Sequence, residues 1–190
     1  IGLGIPAEPL FRSRDNGDIH VTDRIVAGHS ISAITHGQGD IFLDRDVDAN
    51  PDTGSVILRA EGKGNITASI DPVTNSRYKI TAGDFIDAFT GDGNITIGEA
   101  EAKRMSLVAR GEDGHVTADR LLVHANGTGD VTGAADLTLG GSQVNVTQIE
   151  NDGAAPLLTK RALPVIRSAS IRSTVVRHSP QLPRTNVLSS

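Results

Sequence analysis

A run of oxygen-bearing side chains at alternate positions is the part of this sequence most suggestive of chemistry. In the stretch DRDVDANPDTG (residues 44–54), these side chains are Asp44, Asp46, Asp48, Asn50 and Asp52. Carboxylate and amide oxygens at such spacing are ligands that suit a hard cation such as Ca²⁺. The spacing therefore predicts a calcium-binding loop, and calcium is the only cofactor that the sequence suggests.

The same stretch departs from the known calcium-binding patterns. An EF-hand loop has a glycine at its sixth position and a glutamate at its twelfth, and Ala49 and Ser55 occupy those places here. The nonapeptide calcium repeat needs the pattern Gly-Gly-x-Gly-x-Asp, whereas in this chain Asp or Asn directly follows the glycines. A solvated acidic loop between strands is the alternative interpretation.

Other catalytic or nucleotide-binding sites find little support in the sequence. The chain has no cysteine, which excludes thiolate metal sites, cysteine nucleophiles and disulfides. The segment EGKGNIT (61–67) has a lysine between glycines but lacks the Gly-Lys-Ser/Thr ending of a phosphate loop. Enzymes that cleave polysaccharides need two carboxylates at a set separation, and abundant acidic residues do not single out a pair. Aromatic platforms are also scarce, with four Phe, one Tyr and no Trp, so we expect no enzyme.

Charge divides the chain near residue 154. All 21 glycines and all 23 acidic residues precede Ala154. The first 153 residues contain 12 basic and 23 acidic side chains, a net charge of −11, whereas residues 154–190 carry +6. We interpret residues 1–14 as a leading segment, residues 15–153 as the body and residues 154–190 as a basic, proline-containing tail or linker. The acidic body, and the absence of aromatic residues among the basic ones of the tail, argue against a nucleic-acid partner.

One short element recurs along the body: Gly, a short polar residue, Ile or Val, and usually Thr. It occurs as NGDIHV (16–21), GQGDIFL (37–43), GKGNITA (62–68), GDGNITI (91–97), DGHVTA (113–118) and GTGDVTG (127–133), and in part as QVNVTQI (143–149). Aligning these elements gives a polar column of Asp18, Asp40, Asn65, Asn94, His115, Asp130 and Asn145. The next column is apolar and holds Ile19, Ile41, Ile66, Ile95, Val116, Val131 and Val146.

Further short runs of alternating apolar residues lie between these elements, and alternation of this kind predicts half-buried strands. They are SISAIT (30–35), SVILRA (55–60), YKITA (78–82), MSLVA (105–109), RLLVHA (120–125) and DLTLGG (136–141). Stacked coils with a narrow aliphatic interior would explain both the repetition and the scarcity of aromatic rings. The sequence thus predicts an all-β parallel β-helix (β-solenoid) with irregular coils. An antiparallel β-sandwich is the alternative, and GEAEAKRMSLVA (98–109) is the one stretch whose composition is typical of a helix.

With these elements laid out, the chain resembles the filamentous-haemagglutinin-like exoproteins, the large adhesins that bacteria export by two-partner secretion. Repeats of that family alternate a GDI-x-V element with an L-x-A element, as NGDIHV and RLLVHA do here, and the resemblance covers residues 15–150. It implies a right-handed parallel β-helix forming the shaft of a secreted or cell-surface protein. It also implies export through an outer-membrane secretion partner. The NPNL-type signature of the family's secretion domain is not matched by NPDT (50–53), so we expect an internal or carboxy-terminal piece.

The expected function is therefore that of a structural or adhesive shaft segment, which mediates attachment or presents a distal domain. Its partners would be a host or neighbouring cell surface, glycans included. Two alternatives stay open, a carbohydrate-active parallel β-helix enzyme and a self-assembling solenoid scaffold. If the body has a contact surface, we expect it at Asp44–Asp52 and at the threonines that follow the apolar column, namely Thr67, Thr96, Thr117 and Thr132.

Overall fold

The computed structural model describes residues 9–124, 136–151 and 174–175, which form β-strands joined by turns, with no helix among them. No helix of these residues is long and apolar enough to cross a membrane. The strands are β1 (Leu10–Ser13), β2 (Ile19–Val21), β3 (Ile25–Val26), β4 (Ile31–Thr35), β5 (Ile41–Leu43), β6 (Val47–Asp48), β7 (Ser55–Ala60), β8 (Ile66–Ala68), β9 (Ile80–Thr81), β10 (Phe85–Thr90), β11 (Ile95–Ala102), β12 (Arg104–Ala109), β13 (His115–Val123), β14 (Asp136–Gly140), β15 (Gln143–Asn151) and β16 (Thr174–Val175).

These strands form two sheets, and all the ladders between them are parallel. The six-stranded sheet has the order β1-β4-β7-β10-β12-β14. The ten-stranded sheet has the order β16-β15-β13-β11-β8-β5-β2, and β3, β6 and β9 join it as a side row that ends on β11. Among the described residues, antiparallel pairing is limited to an isolated bridge between Ile70 and Arg77. The alternative of an antiparallel β-sandwich is therefore wrong.

The order of the strands divides the chain into six successive layers. Each of the first three layers contains three strands, β1–β3, β4–β6 and β7–β9. In the next three layers a single long strand takes the place of the second and third, which gives β10–β11, β12–β13 and β14–β15. Neighbouring parallel strands lie about 4.8 Å apart, so each layer adds about that length to the stack.

The apolar column that the sequence predicts is present through its first five members. Ile19, Ile41, Ile66, Ile95 and Val116 are register partners from layer to layer, and each is at most 8% exposed. The sixth partner is Val144, because β13 pairs directly with β15. The predicted continuation is wrong in this place: Val146 pairs with Ala118 instead, and Asp130 and Val131 lie outside the described residues.

Aliphatic side chains fill the space between the sheets. One example is the row Ile31, Val56, Ile86, Met105 and Leu137 of the six-stranded sheet, whose members are each at most 3% exposed. The aromatic rings of the described strands lie outside this space, because no aromatic residue of these strands belongs to the buried core. A narrow interior explains why the sequence contains so few aromatic residues.

The stretch 98–109, whose composition is typical of a helix, forms the end of β11 and all of β12. Ala100 and Ala102 are buried while Glu99 and Glu101 lie on the outer face, which is the two-residue period of a strand. Pairing with neighbours on both sides outweighs the helical propensity of the stretch, since propensity is a weak local preference.

Two strands lie in the segments predicted to flank the body. β1 falls within residues 1–14 and pairs with β4. β16 falls within residues 154–190 and pairs with β15.

Candidate functional site

The predicted calcium loop passes through a strand rather than forming a loop of its own. Its centre is β6, where Val47 and Ala49 are buried in the core while Asp46 and Asp48 lie on the outside. Along an extended chain, alternate residues are about 6.6 Å apart, whereas ligands that share one Ca²⁺ each lie about 2.4 Å from it. The strand thus spreads these carboxylates along its length.

Each of the three carboxylates at the start of this stretch has its own protein partner. Asp44 accepts a short hydrogen bond from the Ser69 hydroxyl, and its Oδ2 lies 3.6 Å from His20 Nδ1. Asp46 Oδ1 accepts a 2.8 Å bond from the backbone N–H of Lys79. Asp48 Oδ2 accepts bonds of 2.6 and 2.9 Å from the guanidinium of Arg24, whose pKa this hydrogen bond raises further.

The remaining two predicted ligands serve the turn after β6. Asn50 Oδ1 accepts bonds from the backbone N–H groups of Asp52 and Thr53, at 2.9 and 3.1 Å, which is a local turn motif of asparagine. The Asp52 side chain is exposed. Within the described ranges, no group of three or more His, Asp or Glu side chains is arranged to hold a metal ion. Calcium binding at this segment stays a prediction.

The polar column forms a ladder of side-chain to backbone hydrogen bonds that runs along the stack. Each side-chain Oδ1 accepts from the backbone N–H of its counterpart in the next layer. The ladder joins Asp18 to Asp40, Asp40 to Asn65, Asn65 to Asn94, and Asn94 to His115, with distances of 2.8, 2.5, 2.8 and 2.8 Å. These side chains therefore hold the corners of adjacent layers in register.

A row of outward side chains lies beside this ladder, and we call it the threonine strip. Its members are register partners on β2, β5, β8, β11, β13 and β15: His20, Phe42, Thr67, Thr96, Thr117 and Asn145. The strip contains three of the four threonines predicted from the sequence, while Thr132 lies outside the described residues. At about 4.8 Å per strand, its six members span about 24 Å.

The chemistry of the threonine strip suits contact with another molecule. Thr67, Thr96 and Thr117 are half-buried, and their hydroxyls have no hydrogen-bond partner among the described residues. At one end of the strip, the rings of His20 and Phe42 stack with centroids 4.6 Å apart. The strip thus presents a stacked pair of rings followed by regularly spaced hydroxyl groups.

A loop forms one side of the threonine strip. It connects β8 to β9, and its residue Arg77 lies over Gly98, where an added Cβ would approach Arg77 Cβ to 2.6 Å. Asp71 orders the loop by accepting bonds of 3.0 Å from Val73 N–H and from the Thr74 hydroxyl. The backbone bond from Val73 is the main reason why the pKa of Asp71 is lowered.

A network of five charged or titratable side chains covers the outer face beyond the loop. Lys79 Nζ lies 2.8 Å from Glu99 Oε1 and 2.6 Å from Glu101 Oε2. Arg120 Nη1 donates to Glu99 Oε2 at 2.9 Å, and His124 Nε2 lies 2.9 Å from Glu101 Oε1. The network joins three layers, so it links β9, β11 and β13 on the outside as the core does on the inside.

The charges of this network hold one another in the ionised state. Partial burial would raise the pKa of Glu99, but hydrogen bonds from Lys79 and Arg120 outweigh it and the pKa is lowered. The hydrogen bond from Lys79 lowers the pKa of Glu101 against the opposing effect of burial. Burial would lower the pKa of Lys79, yet the two glutamates raise it. Since a general acid needs a raised carboxyl pKa, these carboxylates are suited to ion pairing rather than to proton donation.

Sequence reasoning missed this network and two buried threonines. Thr35 and Thr90 are fully buried, and their hydroxyls donate to the carbonyls of Gly39 and Gly93 at 2.6 and 2.7 Å. Each threonine thereby fixes the glycine turn that follows it. A signal was present, because both threonines stand at the inward end of an alternating run, Thr90 directly before a glycine element and Thr35 one residue further from the next.

Comparison of the chain with protein-family models, with curated proteins and with solved structures gives no match in any of the three.

Proposed function

We propose that this chain is a segment of a right-handed parallel β-helix that serves as a structural and adhesive shaft of a large exported bacterial surface protein. The observation that carries the proposal is the parallel register of layer upon layer, which five successive apolar partners follow from Ile19 to Val116. A stack of this kind grows in one direction, because each layer contacts only its neighbours. Such growth produces length and stiffness, which are the properties of a shaft.

The outward surface supports an adhesive role. The threonine strip offers three hydroxyls that have no hydrogen-bond partner among the described residues, and a stacked ring pair, a combination suited to hydrogen bonds and apolar contacts with sugars. We propose that the strip contacts glycans of a host or neighbouring cell surface. The resemblance to filamentous-haemagglutinin-like exoproteins points the same way. It supports a secreted or cell-surface location and export through an outer-membrane partner.

A catalytic role is not part of the proposal. The paired carboxylates of the outer network have lowered pKa values, which suit ion pairing and not general-acid catalysis. A panel of acidic polysaccharides, assayed for new reducing ends and for unsaturated products, tests this point. Turnover by the purified chain would favour the alternative of a carbohydrate-active β-helix enzyme.

The shaft proposal is tested by negative-stain electron microscopy of the intact parent protein. We expect a thin rod of uniform width that is many times longer than this segment. A compact particle of about the size of this segment would contradict the proposal.

The role of the threonine strip is tested separately, by binding of the chain to glycan-coated surfaces. The triple variant Thr67→Val, Thr96→Val, Thr117→Val removes the three hydroxyls and keeps the β-branched shape. Its control is Thr81→Val on β9, an outward half-buried threonine of the side row. We expect the triple variant to lose binding and the control to keep it. Equal binding by both would remove the strip from the proposal.

Self-assembly is the second candidate function, and the first layer supplies the observation that favours it. Leu10, Phe11 and Val26 are 53%, 37% and 70% exposed, although Phe11 stands in register with the buried Ala33. Sedimentation velocity over a range of protein concentrations tests this candidate. Growth into end-to-end polymers, reduced by Phe11→Ser, would favour a scaffold, and a monomer at all concentrations would exclude one.

A further inference from the structure

A groove of about 570 Å³ runs along the corner where the glycine turns of successive layers stack. Its lining begins at Asn16 in the first layer and ends at Arg110 after β12 in the fifth. Four steps between layers correspond to about 19 Å, so the groove is elongated along the stack. Its volume lies within the range of small-ligand sites, and its shape suits a chain-like ligand.

The floor of the groove is bare backbone. It contains Gly37, Gly62 and Gly91, one glycine from each of three successive layers. A Cβ on Gly62 would lie 1.6 Å from the Gly37 carbonyl oxygen, and one on Gly91 would lie 2.3 Å from that of Gly62. Close approach of the turns thus requires glycine at these two positions. The walls consist of the side chains that flank the glycines.

The backbone of these turns is fixed before any ligand arrives. Lys63 N–H donates to the Gly37 carbonyl at 2.8 Å, and Asp92 N–H donates to the Gly62 carbonyl at 2.8 Å. The backbone positions of Lys63 and Asp92 are therefore set by the stacking of the layers. A ligand meets a preformed groove and does not have to order its floor.

Two cations and two carboxylates line the walls of the groove. Lys63 and Arg110 have no acidic side chain within ion-pair distance among the described residues, although the body is strongly acidic. The guanidinium of Arg110 instead lies over the ring of Phe89, 5.4 Å from its centroid. By contrast, Glu61 in the same wall lies 2.9 Å from His36 Nδ1. Each of the two cations without an ion pair can bind an anionic group of a ligand.

The carboxylate of Asp92, which also lines the groove, limits which anionic ligands can bind there. Asp92 is exposed in the lining and has no cationic partner within ion-pair distance in the described part of the chain. An acidic peptide would meet repulsion there, whereas a sugar hydroxyl would donate to Asp92. The lining therefore fits a ligand that carries carboxylates for the two cations and hydroxyls for Asp92.

We propose that this groove binds an acidic oligosaccharide that contains uronic acid units. Lys63 and Arg110 bind carboxylates of the sugar chain, and Asp92 accepts hydrogen bonds from its hydroxyls. Stacking on Phe89 holds the guanidinium of Arg110 at the end of the groove. This inference rests on the adhesive role proposed above and names the chemistry of one ligand. It assigns that ligand to the glycine corner and not to the threonine strip.

The experiment is isothermal titration of the full chain with a short oligogalacturonate at low ionic strength. Lys63→Gln and Arg110→Gln each remove one charged contact, and we expect each to weaken binding about tenfold or more. Lys103→Gln is the matched control, since Lys103 lies outside the groove and donates to the Asp52 backbone carbonyl. The control should bind as the original chain does.

Two further ligands separate the possible sources of binding. The methyl-esterified form of the same oligosaccharide keeps the hydroxyls and loses the charges, and a short poly-glutamate peptide keeps charges and lacks hydroxyls. We expect both to bind at least about tenfold more weakly than the acid form. Equal binding of either one, no binding of the acid form, or unchanged binding in both groove variants would overturn the proposal.

Failure of this groove experiment leaves the shaft proposal standing if electron microscopy of the parent protein shows a rod. The other outcome is that the parent protein forms a compact particle and still binds the oligosaccharide. In that case the groove assignment stands and the shaft proposal fails.

Discussion

Asn65 Oδ1 accepts a 2.8 Å hydrogen bond from the backbone N–H of Asn94, the residue at the same place in the next layer. The Asn65 amide nitrogen also donates to Asp40 Oδ1, 3.1 Å away in the preceding layer. One amide side chain thus joins three layers, and the polar column that repeats in the sequence has a structural reason. These two hydrogen bonds join residues that are 25 and 29 positions apart in the chain.

Replacing Asn65 by alanine should destabilise the protein by about 0.5–1.5 kcal/mol, because the N–H of Asn94 loses its acceptor in the ladder. Asn65→Asp keeps an acceptor oxygen and loses the donor to Asp40, and it places a second negative charge beside that residue. We therefore expect Asn65→Asp to cost less at pH 4 than at pH 7. Urea unfolding of both variants measures these differences, and a stability of Asn65→Ala equal to that of the original chain would exclude the ladder as a stabilising element.

Gly62→Ala should be among the most damaging single substitutions in the body. Its Cβ would lie 1.6 Å from the Gly37 carbonyl oxygen, so two layers would have to move apart. Gly28→Ala is the matched control, because a Cβ there meets nothing within 4 Å. We expect a loss of about 3 kcal/mol or more, or failure to fold, for the first variant and a change below about 1 kcal/mol for the second. Similar melting temperatures for the two variants would mean that the turns do not stack closely.

The charged network predicts a loss of stability in acid. Glu99 and Glu101 have lowered pKa values, so their contribution is complete above the unfolded value of about 4.3 and disappears as the pH falls through the folded values. Lys79 has a raised pKa, so its contribution is complete below about 10.4 and disappears as the pH rises through the folded value. These three side chains should therefore stabilise the protein fully between about pH 5 and pH 10.

The double variant Glu99→Gln, Glu101→Gln isolates this contribution. Its loss of thermal stability relative to the original chain should be largest near pH 7 and should shrink towards pH 3, as the two glutamates of the original chain take up protons. Asp71, whose pKa is also lowered, keeps part of the acid sensitivity in both proteins. A difference in melting temperature that stays constant from pH 7 to pH 3 would contradict the assignment.

Calcium binding by residues 44–54 would have to displace the bonds of Asp46 to the Lys79 backbone and of Asp48 to the Arg24 side chain, so we expect at most weak binding. A site with a dissociation constant of about 1 mM would add about 1.4 kcal/mol in about 10 mM Ca²⁺ and raise the melting temperature by about 3–5 °C. Thermal unfolding with Ca²⁺, with Mg²⁺ and with a chelator makes the comparison. A rise in melting temperature that only Ca²⁺ produces, and that Asp48→Asn abolishes, would confirm the calcium interpretation, and no rise would contradict it.

The sequence alone predicted the all-β class, the inward and outward faces of most strands, and the first five members of both columns. These features depend on local rules: a two-residue period assigns each side chain to a face, and glycine permits the tight corner before each strand. The outward position of Thr67, Thr96 and Thr117 follows from the same period. The sequence also contained the reason for the scarcity of rings, since a narrow interior admits aliphatic side chains best.

Only the tertiary structure decided which segments lie beside each other. Val116 pairs with Val144 and not with a residue of the intervening glycine element, because register between layers depends on how many residues each connection takes up. The tertiary structure also brings Lys79 next to Glu99 and Glu101. It likewise places Lys63 and Arg110 in one groove. Residues 98–109 became strands because neighbouring layers supplied their hydrogen bonds. Contacts between distant segments have no signature in a local pattern, and the candidate sites consist of such contacts.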